Sequence, residues 1–389
     1  MSKVASAAGA PPRRTAFVRA LASAACAAAA LAASPALAAQ YILTDLGDLP
    51  GGSDYSLATG INAAGQVVGT SVAATGNRAF LWSEGVMTDL GDLPGGSDLS
   101  YAYGINNAGQ VVGQSGAATG YRAFLWSGGA MTDLGDLPGG GDYSIANGIN
   151  NAGQVVGYSE AATGTRAFLW SGGVMTDLGD LPGGSDFSYA YGINDAGQVV
   201  GYSAAATGLH AFLWSGGAMT DLGDLPGGND VSFAYGINEA GQVVGGSGAA
   251  TGYRAVLWSG GVMTDLGDLP GGSNFSYAYG INNAGQVVGQ SGAATGNSAF
   301  LWTADGGMQD LNDLIDPLVG WVLREARAIN ASGQIVGYGV NAAGATHAFL
   351  LTRFTDSATV PEPATWAMLI AGFGAVGTAL RRRRRAPAA

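Results

Sequence analysis

Thr88–Met131 reads TDLGDLPGGSDLSYAYGINNAGQVVGQSGAATGYRAFLWSGGAM, and near-copies of this stretch fill most of the chain. Its first eleven letters, here called the TDLGDLPGGSD segment, recur at a spacing of 44 residues. Copies or near-copies of the segment begin at Thr44, Thr88, Thr132, Thr176, Thr220 and Thr264. A fixed period of this length indicates a repeat architecture, in which each repeat is one structural unit.

Each unit contains four short runs that favour β-strands. In the quoted unit they are SYAYGI, QVVGQS, RAFLW and AMTDL, which are rich in Val, Ile, Tyr, Phe and Trp. Tight turns join the runs: NNAG suits a type I turn closed by a left-handed glycine, and GAATG and SGG are turn sequences as well. No run has the length or the 3.6-residue period of a helix. The unit is therefore predicted to be a small antiparallel sheet of four strands.

The number of units predicts an all-β fold, a seven-bladed β-propeller over residues 40–353. The Ile-Asn element before the first turn occurs seven times, at Ile61, Ile105, Ile149, Ile193, Ile237, Ile281 and Ile329. The fourth strand is displaced, because YILTDL precedes the first complete unit and the last unit ends without one. An open array would expose two sheet edges, so we predict that this N-terminal strand closes the last blade. A β-solenoid is the alternative.

The N-terminal end carries an export signal. Residues 1–38 combine early arginines, an alanine-rich apolar run and the sequence Ala36-Leu37-Ala38. This pattern is typical of a secretory signal peptide, a short helix that is cleaved after Ala38. Cys26, the one cysteine of the chain, lies inside it. The mature chain is therefore predicted to contain no disulfide and no cysteine-ligated metal.

The C-terminal end, which follows a linker at residues 354–360, carries a second signal. The motif Pro361-Glu362-Pro363 precedes an uncharged apolar stretch, 364–380, which as a helix of about 25 Å would just span a bilayer. By the positive-inside rule, the arginine cluster after it would remain in the cytoplasm as a membrane stop. The cluster consists of Arg381, Arg382, Arg383, Arg384 and Arg385.

The order of motif, helix and basic cluster over residues 361–385 resembles the PEP-CTERM sorting signal. The resemblance implies that an exosortase-type enzyme recognises the Pro-Glu-Pro motif and processes the tail. The chain would then be anchored transiently in the inner membrane before it reaches the cell surface or is secreted.

The repeats resemble the HAF family of probable extracellular repeat proteins. The likeness covers residues 40–353 and rests on GIN-x-AGQVVG followed by AFLW. His-Ala-Phe itself appears twice, beginning at His210 and at His347, while Arg or Ser replaces the histidine in the other units. The resemblance implies an exported repeat protein without an assigned activity. Since the histidines occupy an interchangeable position, we interpret both as partly exposed strand residues without a catalytic role.

Between the two terminal signals the chain contains seven arginines, no lysine and a large excess of acidic residues. Such a surface repels nucleic acid and anionic lipid, and it attracts cations. Nucleic acid is therefore excluded as a partner.

Paired aspartates of the repeated segment are the candidate cation or ligand site. Connections between blades lie on one face of a propeller, so the pairs are predicted to crowd one rim. The pairs are Asp48 and Asp54, Asp92 and Asp98, Asp136 and Asp142, Asp180 and Asp186, and Asp224 and Asp230. Aspartate also caps tight turns, which is the simpler interpretation. The functional alternative is a hard cation, with calcium as the candidate cofactor.

The sequence offers little for catalysis. No Ser-His-Asp arrangement stands out, and the glycine-rich segment lacks the lysine of a phosphate loop. The repeated tryptophans could form a sugar-stacking platform, but packing between units is the favoured interpretation. The first-strand tyrosines, such as Tyr101 and Tyr103, would either line the channel of a propeller or pack against the next unit, and packing is again favoured. The seventh unit departs from the repeat sequence at QDLNDLIDPLVGWVLREAR. A functional site that the other units lack would be sought there. The residues of that site would be Asp310, Asp313, Asp316, Arg324 and Glu325.

These observations predict an exported, non-enzymatic protein of the cell surface that binds or organises extracellular polysaccharide. The first alternative is a purely structural matrix or spacer protein. The second is a hydrolase with its site on the acidic loop face.

Overall fold

The computed structural model describes residues 40–354. The predicted signal peptide, most of the predicted linker and the predicted sorting signal lie outside the described residues. Within residues 40–354, no helix is long and apolar enough to cross a membrane. This part of the chain is all-β, with two short 3-10 helices, Leu311–Leu314 and Pro317–Val319, between the sixth and seventh units.

Strand β1 (Tyr41–Asp45) precedes the first unit, and the strands of the units follow in chain order. Units 1 to 3 contain β2 (Gly51–Ile61), β3 (Val67–Ala73), β4 (Gly76–Ser83), β5 (Val86–Asp89), β6 (Ser100–Ile105), β7 (Val111–Ala117), β8 (Gly120–Ser127), β9 (Ala130–Asp133), β10 (Ser144–Ile149), β11 (Val155–Ala161), β12 (Gly164–Ser171) and β13 (Val174–Asp177). Units 4 and 5 contain β14 (Ser188–Ile193), β15 (Val199–Ala204), β16 (Leu209–Ser215), β17 (Ala218–Asp221), β18 (Ser232–Ile237), β19 (Val243–Ala249), β20 (Gly252–Ser259) and β21 (Val262–Asp265). Units 6 and 7 contain β22 (Ser276–Ile281), β23 (Val287–Ala293), β24 (Gly296–Thr303), β25 (Gly307–Asp310), β26 (Val322–Ile329), β27 (Ile335–Val340) and β28 (Thr346–Arg353).

The predicted four-stranded antiparallel sheets are confirmed. Units 2 to 6 each form a separate sheet, as in propeller and other β-repeat folds, and units 1 and 7 belong to one eight-stranded sheet. In that sheet, β1 pairs antiparallel with β28 along its whole length, and a parallel bridge joins Tyr55 of unit 1 to Thr346 of unit 7. An equivalent parallel bridge joins Tyr121 of unit 2 to Tyr143, just before unit 3.

The middle strands of each sheet are buried on both faces. Consecutive residues of a strand point to opposite faces. In unit 2, Val111 and Phe124 therefore pack against unit 1, whereas Val112 and Ala123 pack against unit 3. All four side chains are fully buried. This double burial explains why the strands read as continuous apolar runs such as QVVG and AFLW.

The same packing joins unit 7 to unit 1. Val336 and Leu350 of unit 7 share a buried cluster with Val67 and Phe80 of unit 1. On its other face, unit 7 packs against unit 6 through a cluster that includes Tyr41 of β1, which is 1% exposed. The N-terminal strand is thus part of the core of the last unit.

Glycines define the first hairpin of each unit. In unit 2 the Gly109 N–H donates to the Asn106 carbonyl at 3.0 Å, and Gly109 has a φ of 74°. This is the left-handed glycine that the sequence predicted, and a side chain would strain it. Gly113 serves packing instead, since a Cβ there would lie 1.9 Å from the Tyr101 carbonyl oxygen.

In units 1 to 6, two buried serines per unit fix the TDLGDLPGGSD segment. The Ser100 hydroxyl accepts from the Ala79 amide at 3.0 Å and donates to the Gly91 carbonyl at 2.6 Å. The Ser115 hydroxyl accepts from the Leu93 amide at 2.9 Å. Buried equivalents are Ser56, Ser71, Ser144, Ser159, Ser188, Ser203, Ser232, Ser247, Ser276 and Ser291. Because each serine satisfies backbone groups that are removed from water, the connection is held rigidly between neighbouring units.

Candidate functional site

Asparagine side chains link each unit to the next. The Asn106 amide donates to Gln110 Oε1 at 2.8 Å and to the Asn150 carbonyl at 3.1 Å. Every unit repeats this contact, and Asn330 of unit 7 donates to the Asn62 carbonyl of unit 1 at 3.0 Å. The donors are Asn62, Asn106, Asn150, Asn194, Asn238, Asn282 and Asn330. The Ile-Asn element of the sequence is therefore a joint between units.

Arginine side chains lie between the paired aspartates. Arg78 Nη1 lies 2.6 Å from Asp92, and its Nη2 lies 2.7 Å from Asp98. Burial lowers the pKa of Arg78, but the hydrogen bonds and charges of the aspartates raise it further, and the net shift is upward. Equivalent pairs join Arg122 to Asp136 and Asp142, Arg166 to Asp180 and Asp186, and Arg254 to Asp268.

These ion pairs correct the expectation of a rim of crowded carboxylates. At Asp92, Asp98, Asp136, Asp142, Asp180 and Asp186, a guanidinium lies where calcium was expected. The paired aspartates were also expected to cap tight turns, but the residue that caps the turn is the first aspartate of the segment: Asp89 Oδ1 accepts from the Gly91 amide at 2.8 Å. Sequence reasoning missed this first aspartate of the segment, although the Asp-x-Gly spacing of an Asx turn was visible.

We call the contact region between one unit and the segment that leads into the next unit a junction. Histidine replaces the arginine at two junctions, those of His210 and His347. His347 is 7% exposed, and so it is buried rather than partly exposed as expected. Its Nδ1 lies 2.9 Å from Asp45, and its Nε2 lies 2.6 Å from Asp54. Burial lowers the pKa of His347, but the hydrogen bonds to Asp54 and Asp45 outweigh burial and raise it above its ordinary value.

The other histidine makes fewer contacts. His210 Nδ1 lies 2.7 Å from Asp221. Asp224 and Asp230 of that junction form no ion pair within residues 40–354. The two histidine junctions are therefore not equivalent, although both histidines begin the same His-Ala-Phe sequence.

A cavity of about 500 Å³ is lined by all seven units. Each unit contributes the residue two positions before the Ile of its Ile-Asn element, and these are Thr59, Tyr103, Asn147, Tyr191, Tyr235, Tyr279 and Arg327. The second tyrosine of each first-strand pair thus lines an opening, and Tyr191 also contacts Tyr235 of the next unit, so the two alternatives for these residues both hold. The tryptophans do pack between units: Trp126 contacts the cluster that units 1 and 2 share, and Trp258 is 5% exposed.

Five of the positions at which the near-identical units differ lie close together. In unit 2 they hold Leu99, Tyr101, Tyr103, Gln114 and Tyr121. The unit 1 residues at these positions line one further cavity: Tyr55, Leu57, Thr59, Thr70 and Asn77. We call these positions in units 1 to 6, together with Glu325, Arg327 and Tyr338 of unit 7, the variable surface. Five of the positions at which the units differ therefore lie beside the opening, whereas others, such as those of Ser97, Asn107 and Gly116, do not line these cavities.

Aromatic rings form a continuous chain along the variable surface. Tyr158 and Tyr189 have ring centroids 4.0 Å apart, and Tyr189 stacks on Tyr202 at 5.3 Å. Contacts of this kind run from Tyr121 in unit 2 to Tyr279 in unit 6. The Arg327 guanidinium then lies 4.5 Å from the centre of the Tyr279 ring. The aromatic rings of this chain are half-buried, so part of each ring remains accessible.

Burial raises the pKa of several tyrosines of the variable surface above the ordinary value, at which a tyrosine is already neutral at pH 7. It raises the pKa of Tyr277 and of Tyr338 to about 12, and it raises the pKa values of Tyr103, Tyr191, Tyr235 and Tyr279 as well. Burial also raises the pKa of Glu325, against the opposing effect of Arg327. At neutral pH the surface therefore offers aromatic faces and hydroxyls that can both donate and accept hydrogen bonds.

The residues proposed for a site in unit 7 have separate roles. Asp310 and Asp316 cap the two 3-10 helices, and Asp313 is exposed. Arg324 donates to the Asn297 carbonyl at 3.2 Å. Glu325 pairs with Arg327 and accepts from the Tyr338 hydroxyl at 3.1 Å. Of the five, Glu325 therefore belongs to the variable surface, and the structure does not bring the set together.

Comparison with solved structures returns several proteins at low sequence identity. TolB from Acinetobacter baumannii has 10% identity, with a TM-score of 0.39 over 56% of this chain and 60% of that chain. A putative gluconolactonase has 13% identity, with a TM-score of 0.38 over 80% of this chain and 92% of that chain. The WD40 β-propeller domain of Doa1 has 10% identity, with a TM-score of 0.38 over 79% of this chain and 96% of that chain.

Comparison with sequences gives one family match. No curated protein matches the chain. Residues 359–385 match the PEP-CTERM protein-sorting motif, in agreement with the sequence interpretation of this end. The chain therefore carries a PEP-CTERM sorting signal, the mark of an exported protein that an exosortase processes.

Proposed function

We propose that residues 40–353 form one closed, seven-bladed β-propeller of HAF-type repeats rather than a β-solenoid. Three contacts between the last and the first unit support the closure: the pairing of β1 with β28, the Asn330 to Asn62 hydrogen bond, and the His347 to Asp54 contact. The first repeats the pairing of third and fourth strands seen within units 2 to 6, and the other two repeat, or replace by histidine, contacts between consecutive units. The N-terminal strand is then the outer strand of the last blade.

The propeller is exported and sorted through its C-terminal signal. The match of residues 359–385 to the sorting motif supports this step. Changing Pro361, Glu362 and Pro363 to alanine should leave the protein in the inner membrane, held by 364–380. Fractionation of cells that make the parent and the altered chain tests this. Equal release of both chains to the surface or the medium would contradict the role of the motif.

Once exported, the protein binds a neutral extracellular polysaccharide on the variable surface. The observation that carries this proposal is the concentration of aromatic side chains at the positions where the units differ. Half-buried tyrosine rings provide flat apolar faces for sugar rings, and their hydroxyls provide hydrogen bonds. A cavity of about 500 Å³ has the size of ordinary ligand sites.

Charge favours a neutral polymer and a non-enzymatic role. The chain has a formal net charge of −12, which repels polyanions. Glycoside hydrolysis generally uses two carboxyl groups beside the scissile bond. The residues that line the two cavities of the variable surface include no Asp and no Glu within the described part of the chain. Binding without hydrolysis is therefore favoured over a hydrolase.

A glycan array probed with the exported protein tests this function. We expect neutral glycans to bind, and a Tyr191→Ala, Tyr235→Ala double variant to lose at least tenfold in affinity. The matched control is Val174→Ala, because Val174 is 64% exposed in an outer strand. Uniform failure to bind any glycan would favour the spacer alternative. Release of reducing sugar from a bound glycan would favour the hydrolase.

A further inference from the structure

The junction between unit 7 and unit 1 differs from the arginine junctions in one respect. At every arginine junction the guanidinium pairs with the second aspartate of the segment: Arg78 lies 2.6 Å from Asp92, and Arg122, Arg166 and Arg254 pair with Asp136, Asp180 and Asp268. Arg78 also contacts Asp98 and Asp89, so it reaches three carboxylates. An imidazole has two ring nitrogens, so His347 can contact two carboxylates at most. It contacts Asp45 and Asp54.

The third carboxylate of this junction, Asp48, occupies the position of Asp92 but forms no ion pair within residues 40–354. One carboxylate oxygen each from Asp48 and Asp54 and one ring nitrogen of His347 all lie within 4.8 Å of one another. The side chain of His347 is 8% exposed, so these donors meet at the edge of the protein interior.

We propose that Asp48, Asp54 and His347 form a binding site for one divalent transition-metal ion of the zinc class. The donor set is one imidazole nitrogen and two carboxylate oxygens, and a water would complete four-coordination. The ion would supply the positive charge that a guanidinium supplies at the junctions of Arg78, Arg122, Arg166 and Arg254.

The orientation of the imidazole supports this assignment. Nε2 faces Asp54, while Nδ1 lies 2.9 Å from Asp45 Oδ1 on the opposite side of the ring. Metal-binding histidines usually donate their second ring N–H to a carboxylate, which fixes the tautomer and strengthens the ligand. Asp45 fills that role. On binding, the ion takes the place of the proton between Nε2 and Asp54, and this proton passes to solvent.

The donor set also selects the kind of ion. Calcium and magnesium prefer oxygen ligands alone, whereas imidazole suits zinc and its neighbours. The site keeps one pair of the expected rim, Asp48 and Asp54, but it adds a histidine ligand, it is confined to one junction, and it selects a different metal. The second histidine junction is not equivalent, because His210 is near Asp221 and is not part of a three-donor group in the described residues.

The experiment uses the exported protein after treatment with a chelator. We expect zinc chloride alone to bind with one ion per chain and to raise the melting temperature by a few degrees at a hundredfold excess over Kd. Calcium chloride at the same concentration should give no comparable shift. An equal response to both ions, or no zinc binding, would overturn the proposal.

Two variants locate the site. His347→Arg installs the residue that the chain uses at Arg78, so it should fold and melt like the parent while losing zinc binding. Asp48→Asn removes one ligand without touching the contacts of His347, and it should weaken zinc binding at least tenfold. The matched control is His210→Arg, which should bind zinc as the parent does. Unchanged binding in His347→Arg, or loss in the control, would also overturn the proposal.

Discussion

The constant positions and the variable positions of the units have different tasks. Ser100, Ser115 and Asn106, which recur in nearly every unit, hold backbone groups between neighbouring sheets. Tyr101 and Tyr121, at positions that change from unit to unit, belong to the surface beside the opening. The comparison indicates that one part of the repeat specifies the fold and the other part presents a ligand surface. Changes to the first should alter stability, and changes to the second should alter binding.

The largest effect is expected from removing β1. Deletion of residues 40–45 leaves one edge of β28 unpaired and removes the buried Tyr41 ring from the core. Loss of a buried aromatic alone costs about 3–5 kcal/mol, so the melting temperature should fall by roughly 10 °C or more. The control Ile42→Ala, at a side chain that is 49% exposed, should change stability by less than about 0.5 kcal/mol. A deleted chain as stable as the parent would contradict the closed ring.

A single buried serine should have the next largest effect. Ser100→Ala leaves the Ala79 amide and the Gly91 carbonyl without their buried partner. An unsatisfied buried polar group costs about 1–3 kcal/mol. Denaturant unfolding of the variant should show this loss, while glycan binding stays unchanged. Ser97→Ala is the control, because Ser97 is exposed in the same segment. Equal stability of the two variants would remove the distinction between constant and variable positions.

Alkaline pH should weaken the fold through the variable surface. The pKa of Tyr277 and of Tyr338 is about 12 in the folded protein and about 10 in an unfolded chain. Because the folded pKa is raised, these residues contribute stability that is present below pH 10 and is lost as the pH rises towards 12. Melting temperatures measured from pH 8 to 12 test this. A Tyr277→Phe, Tyr338→Phe double variant should lose less stability over that range than the parent does, and an identical loss would contradict this origin.

The repeat unit was predictable because its turns and strands are specified by residues close together in the sequence. Alternating turn sequences and apolar runs defined four strands, and the offset YILTDL suggested the partner of the last strand. The left-handed glycine at Gly109 also followed from the sequence alone. These features depend on neighbours within one hairpin or one unit.

The site was not predictable because it depends on contacts between units. The sequence separates Arg78 from Asp98 by 20 residues, and nothing in either segment shows that a guanidinium fills the space between two aspartates. The Tyr277 ring lies where a side chain on Gly246 would be, which explains the glycine at that variable position. One signal was available: the variable positions could have been found by aligning the units with one another.

The smallest effect on stability, and the sharpest test of the comparison, comes from exchanging variable residues between units. Units 2 and 6 share tyrosines at the first-strand positions and a glutamine at Gln114 and Gln290, and they differ at Leu99 and Tyr121, which are Phe275 and Asn297 in unit 6. A Leu99→Phe, Tyr121→Asn variant therefore gives unit 2 the surface of unit 6 on a backbone that already accepts it. We expect stability within about 1 kcal/mol of the parent.

Glycan affinity should respond more than stability does. The exchange removes the ring of Tyr121, which begins the aromatic chain at a centroid distance of 6.4 Å from Tyr143. An aromatic contact contributes about 0.5–1.5 kcal/mol, so affinity should fall roughly threefold to tenfold. The reverse change, Asn297→Tyr, extends the aromatic surface of unit 6 and should raise affinity without a cost in melting temperature. If both variants bind glycan as the parent does but melt lower, the variable positions serve packing, and the ligand surface must be sought elsewhere on the molecule.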